Sequence, residues 1–115
     1  MHELSVTEEV LKIVLEYAEE NRAARVVVIH LQAGELRDLD EEWLQRYFDY
    51  LSRGTIAEGA KIALNTMPAL LKCSDCDHIF NDDIRQDNII CPACESTANK
   101  LVGGDEFIIE SIGVI

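Results

Sequence analysis

Four cysteines carry the chemistry most plainly written in this chain. They read Cys73-Ser-Asp-Cys76 and, fourteen residues on, Cys91-Pro-Ala-Cys94. A two-residue spacer lets the backbone turn so that both sulfurs of a pair face one point. Two such pairs supply four thiolates, which suits a tetrahedral metal with bonds of about 2.3 Å. The gap between the pairs falls slightly below the usual paired-knuckle zinc spacing. All four cysteines of the sequence are consumed, leaving none over. Two disulfides would need an oxidising compartment, and the Met-His-Glu opening resembles no secretory signal. Iron in a rubredoxin-like site shares both the knuckle geometry and the Cys-Pro-x-Cys step. Only Phe80 lies within the loop, so the aromatic packing around such an iron is thin and zinc is the better match. Four protein ligands leave no position for water, so the site is expected to be structural.

His2 is the second candidate. The Met1 amine, the His2 amide nitrogen and the His2 imidazole can close fused rings around one ion. The Glu3 carboxylate or amide is a further donor. Three nitrogens plus one nitrogen or oxygen in a plane suit nickel(II) or copper(II), and intrinsic affinity does not choose between them. The arrangement requires a retained, unacetylated Met1. Against it stands the common case of a surface histidine that binds nothing. His30 reads as a strand residue, and His78 as either a neighbour of the cysteine site or an exposed side chain.

Charge narrows the partners. Twenty-two acidic residues against ten basic ones give a formal net charge of −12 over 115 residues. Zinc held by four thiolates would add roughly −2 locally. Such a surface repels phosphate backbones, so no nucleic-acid role is expected. No apolar run approaches bilayer-spanning length, so neither is a membrane role. Cytoplasmic location is the default expectation. There is no phosphate loop, no Gly-x-Ser-x-Gly and no spare cysteine nucleophile, so an enzyme is not expected.

The positioning elements follow from periodicity. Ser5-Val-Thr-Glu8 has the form of a capping box, placing a helix start near Ser5. Val6, Val10, Ile13, Val14 and Tyr17 then recur at helical spacing, widened by Leu11, Leu15 and Ala18. Residues 25–33 are rich in β-branched side chains and predict a strand, with Val27, Ile29, Leu31 and Ala33 on one face. Asp38 or Asp40 can cap a second helix, with Glu41 and Glu42 suiting its positive N-terminus. Its stripe of Trp43, Leu44, Tyr47, Phe48 and Leu51 reads as core. Residues 59–71 read as a second strand that must end or reach an edge at Pro68. Phe107 to Ile112 makes a final strand too apolar to stand alone, which should return to the first domain. The fold class expected is α+β: two helices on a small three-stranded mixed sheet, with an inserted four-cysteine zinc-ribbon-like module. Residues 1–68 and 104–115 form the first domain and 69–103 the second. The insert carries too little apolar material to fold by burial, so metal must supply much of its stability.

The chain resembles the HypA/HybF nickel-insertion proteins of hydrogenase maturation. The resemblance runs through Met1-His2-Glu3-Leu4, Gly34-Glu35-Leu36, Gly54-Thr55, Glu58-Gly59-Ala60, both cysteine pairs with Cys91-Pro92, and Gly104-Asp105-Glu106. It implies a metallochaperone delivering nickel(II) to the large subunit of [NiFe]-hydrogenase. His2 would be the essential nickel ligand, with Met1 and Glu3 contributing donors. Cys73, Cys76, Cys91 and Cys94 would hold structural zinc(II). The implied partners are that large subunit and the nickel-handling GTPase HypB. Urease maturation proteins and a homodimer are also admitted. The chain departs from the family's frequent glycine after each knuckle, with Asp77 and Glu95 in those places. A zinc-ribbon interaction or regulatory protein, with an incidental His2, is the alternative reading.

Zinc and iron separate on sight. The purified chain is expected to be colourless with zinc by elemental analysis; a coloured protein carrying iron would replace the zinc reading with the rubredoxin-like one.

Overall fold

A computed structural model describes residues 3–83 and 88–115. In chain order the elements are α1 (Glu3–Glu20), β1 (Val26–Gly34), a 3-10 turn (Glu35–Arg37), α2 (Glu41–Leu51), β2 (Lys61–Met67), β3 (Leu70–Cys73), β4 (Ile79–Asn81), β5 (Asn99–Gly103) and β6 (Phe107–Val114). Two three-stranded sheets result, in the orders β2-β1-β6 and β4-β3-β5. The first is mixed: β1 runs parallel to β2 and antiparallel to β6. The second is antiparallel throughout. The apolar last strand does return to the first sheet, and the cysteine-bearing segment lies between its strands in sequence.

Both helices bury an apolar stripe against the first sheet. Val6, Val10, Val14 and Ala18 of α1, Leu44 and Phe48 of α2, and Ile29, Leu31 and Ile62 of the sheet share one core. Two expectations about α1 change. Glu3 already opens the helix, so Ser5 lies inside it and cannot be the non-helical cap that a capping box requires. The buried stripe is also narrower, because Ile13 and Tyr17 each remain 45% exposed at its margin.

In β1, Ile29, Leu31 and Ala33 point inward as the alternation predicts, whereas Val26 is buried and Val27 is exposed. The pairing with β6 shifts register between Val26 and Val28. A bulge there inserts one residue and turns the following side chain to the other face.

Asp40, not Asp38, caps α2: its carboxylate accepts from the Glu42 and Trp43 amides. Asp38 instead closes the 3-10 turn with a left-handed backbone. The aromatic stripe of α2 is only partly core. Trp43 stays 47% exposed, sits tilted against Tyr47 and lies 5.0 Å beneath the Arg46 guanidinium. Successive helical residues sit about 100° apart, so Trp43 and Leu44 cannot both face one small sheet.

The polar side of α2 serves β2. Gln45 accepts from the Ile62 amide at 2.7 Å and donates to the Ala60 carbonyl at 3.1 Å. Glu41 accepts from the Leu64 amide at 2.8 Å. These contacts satisfy the open edge of an outer strand, which would otherwise template pairing with another chain. Pro68 ends β2 as expected, but Leu70 and Leu71 then start a separate strand in the second sheet.

Two substitutions distinguish the core from the margin. Phe48→Ala should cost about 3–5 kcal/mol, and Trp43→Ala under about 1 kcal/mol, the range of an exposed cation–π contact. Urea denaturation of the metal-loaded protein measures both.

Candidate metal centre

Each cysteine pair sits in a backbone knuckle, and the two knuckles repeat one another. The Cys73 amide donates to the His78 carbonyl at 2.9 Å, and the Asp77 amide to the Cys73 carbonyl at 3.0 Å. In the second, the Cys91 amide donates to the Ser96 carbonyl and the Glu95 amide to the Cys91 carbonyl, both at 2.9 Å. Asp77 (φ 62°) and Glu95 (φ 63°) take the left-handed backbone that closes each turn. These are the two positions where glycine would have been free of penalty. A residue with a Cβ costs roughly 1–2 kcal/mol there, a cost the surrounding turn must offset.

Strand pairing brings the knuckles together. Cys73 ends β3, which pairs with β5, and Asn99 opposite it begins β5. Cross-links lock the two loops: Ser96 donates its hydroxyl to Asp75, the Ser74 amide reaches the Ala98 carbonyl at 2.7 Å, and Asn99 donates to the Ile89 carbonyl at 3.0 Å. Asp75, Ser96 and Asn99 thus support the site. Nothing in the cysteine spacing points to them, since their role depends on which loops become neighbours.

The four sulfurs all lie within 4.8 Å of one another. Cys73 and Cys94 approach to 3.5 Å, Cys76 and Cys91 to 3.6 Å. A tetrahedron with metal–sulfur bonds of about 2.3 Å has edges of about 3.8 Å, so the donor set fits a closed four-thiolate metal site. Disulfides are not formed: all four thiols are free. Cys73 and Cys91 are buried, while Cys76 and Cys94 are exposed.

The thiols resist ionising together. Burial pushes the Cys73 thiol up, but amides of Cys76 and Asp75 and the sulfurs of Cys94 and Cys76 outweigh it, bringing it down to about 7. For Cys94 the Ser96 amide lowers the value. The neighbouring sulfurs of Cys73, Cys76 and Cys91, together with burial, raise it more, and it is pushed up to about 12. Cys76 is also raised: the His78 amide favours its thiolate, but burial and the sulfurs of Cys91 and Cys73 prevail. One thiolate is comfortable here and several are not. A bound cation is what makes full ionisation favourable.

Among the described residues, these four cysteines are the one cluster of three or more His, Cys, Asp or Glu side chains close enough to share an ion. His78 is exposed and stacks on Phe80 with ring centroids 6.1 Å apart, and His30 is exposed on β1. Of the expected nickel donors, Met1 and His2 lie outside the described residues. Glu3 begins α1 and accepts from the Thr7 hydroxyl through its backbone carbonyl at 2.6 Å.

Comparison with known proteins places this architecture. The model of the HypA family, described as hydrogenase/urease nickel incorporation, metallochaperone, matches residues 1–114. The hydrogenase maturation factor HypA of Dehalococcoides mccartyi is 40% identical, covering 99% of this chain and 94% of that protein. The HypA of Archaeoglobus fulgidus is 37% identical, covering 99% and 98%. The solution structure of the Ni metallochaperone HypA from Helicobacter pylori shares the fold at 22% identity, covering 100% of this chain and 98% of its own, with a TM-score of 0.66.

Metal retention should depend steeply on pH, because protons compete for each thiolate. Cys76 and Cys94, raised above 9.0, are protonated at neutral pH and must each release a proton on binding. Apparent zinc affinity should therefore rise by at least about two decades per pH unit just above neutrality. Below about 7, where Cys73 also protonates, the slope should steepen. Competition with a chelator across a pH series measures it; a flat profile would remove the thiols as ligands.

Proposed function

Because this chain belongs to the HypA family of hydrogenase/urease nickel-incorporation metallochaperones, we propose that it binds nickel(II) and helps insert it into the large subunit of [NiFe]-hydrogenase. On this reading the cargo is held by Met1, His2 and Glu3, and Cys73, Cys76, Cys91 and Cys94 hold structural zinc(II). Residues 1–68 and 104–115 act as the nickel-binding domain and 69–103 as the zinc-binding domain. The nickel-handling GTPase HypB and the hydrogenase large subunit are its partners in the cytoplasm, and urease maturation is a second outlet for the same cargo.

The observation that carries this reading is the closure of the thiol cluster. All four sulfurs face one another, so an ion among them has a complete tetrahedral set and no open position through which to be passed on. A delivered ion needs a weaker and more open set of donors. The amine, amide and imidazole at residues 1 and 2 provide nitrogen donors suited to nickel, and they precede α1 directly in sequence. The first turn of a helix carries partial positive charge, which disfavours a nearby cation by about 0.3–1 kcal/mol and is partly balanced by an acidic residue such as Glu3. A site in that setting holds nickel without trapping it.

The zinc module needs its metal for a different reason. Its buried apolar cluster consists of Leu71, Phe80, Cys73 and Cys91, with Ile89 packed against it. So small a core does not offset the chain entropy of ordering the loops. Zinc supplies the difference when bound, as in other small metal-stapled modules.

Nickel titration of the zinc-loaded protein, wild type beside His2→Ala, tests the assignment. Wild type is expected to bind one equivalent, and His2→Ala to lose that binding while circular dichroism and zinc content stay the same. Equal nickel binding by the two proteins would move the cargo site elsewhere in the chain. Binding by neither would leave a zinc-stapled interaction protein.

A further inference from the structure

Among the described residues the two sheets share no core. The cluster built on Val10, Ile29 and Phe48 contains no residue of the second sheet, and the cluster around Cys73 and Phe80 contains none of the first. The molecule is correspondingly long, 55 Å by 24 Å by 15 Å. Two covalent connections cross the junction, one through Pro68 and Ala69 and one through Gly104 and Asp105. Connections alone permit swinging, so the angle between the modules must be set by contacts at the junction itself.

Three backbones meet there, and two of them approach through glycine. A Cβ on Gly34 would lie 1.9 Å from the Gly104 carbonyl carbon, and a Cβ on Gly104 would lie 2.5 Å from the Ala69 Cα. Several hydrogen bonds fasten this contact, but most stay on the side of the first sheet. The Gly34 amide donates to the Glu106 carbonyl at 2.7 Å and the Leu36 amide to the Gly104 carbonyl at 2.9 Å. Arg37 donates to the Asp105 carbonyl at 2.6 Å. These fasten the run into β6.

Glu35 does something else. Its Oε1 accepts from the Ala69 amide at 2.6 Å, and the Asn81 side-chain amide approaches the same oxygen at 3.5 Å. Asn81 closes the triangle by donating to the Ala69 carbonyl at 2.7 Å. Asn81 is the last residue of β4 and pairs with Leu70 at the start of β3. One carboxylate oxygen from the turn after β1 therefore holds both the connection and a strand of the cysteine module. Hydrogen bonds to an ionised acceptor are among the stronger ones available at a partly buried site.

We propose that Glu35 is a positioning residue: it sets the angle between the four-cysteine module and the first sheet, so that the two move as one body. The inference concerns geometry and does not depend on where nickel binds. Glu35 is exposed, so replacing it removes no core atom and both modules should fold.

The test uses the full zinc-loaded chain, weakly aligned for residual dipolar couplings, as wild type, Glu35→Ala and Glu35→Gln. In wild type one alignment tensor should fit both sheets. Glu35→Ala should need two tensors, with reduced order in the cysteine module, while zinc stoichiometry and the shifts within each sheet stay the same. Exchange of the Ala69 amide should quicken by about tenfold or more on losing a charged acceptor. Glu35→Gln keeps an oxygen acceptor and should restore the single tensor. One tensor in Glu35→Ala would overturn the proposal, and so would two tensors in Glu35→Gln with the Ala69 bond intact.

Discussion

Four sulfurs brought within 4.8 Å of one another are the constraint on which the second half of the molecule depends. Their mutual repulsion pushes Cys94 up to about 12 while amides hold Cys73 down at about 7. The knuckles accept left-handed backbones at Asp77 and Glu95 to make that convergence possible. Everything else in the module serves to keep the sulfurs together: three short strands, the Asp75–Ser96 cross-link and a very small apolar cluster. Such an assembly is stable when a divalent ion balances its charge, and the ion is then enclosed.

The first sheet is organised by opposite means. Its stability comes from burial around β1, whose Ile29 and Leu31 are the middle of a conventional core. Helix α2 adds a polar function, because Gln45 and Glu41 occupy the outer edge of β2. The protein thus joins a module held by burial to a module built around four converging thiols. At the junction between them backbones touch at two glycines, and the Glu35 carboxylate bonds the Ala69 amide.

Much of this was legible in the chain itself. The doubled Cys-x2-Cys spacing identified the cluster, since a two-residue spacer can hardly point two sulfurs apart. The β-branched run at residues 26–34 followed from local preference, which also narrowed the cap of α2 to Asp38 or Asp40, and Pro68 marked the end of β2. Less legible was anything set by the width of a buried face. Trp43, Ile13 and Tyr17 have helical spacing identical to that of core residues, and only the size of the sheet beneath leaves them outside. The short strands β4 and β5 carry too little pattern to be read, because their pairing with β3 is imposed by the knuckles they flank.

Sequence by itself determined the donor atoms, the charge, the two helices and the principal strands, because each depends on residue type and near-neighbour spacing. Tertiary structure alone decided the bulge that turns Val27 outward, the edge contacts of Gln45 and Glu41, and the meeting of Glu35 with Ala69 and Asn81. The Glu35–Asn81 pair is separated by 46 positions. No local rule links residues so far apart; they meet only once two sheets have formed and two glycines have let the backbones touch.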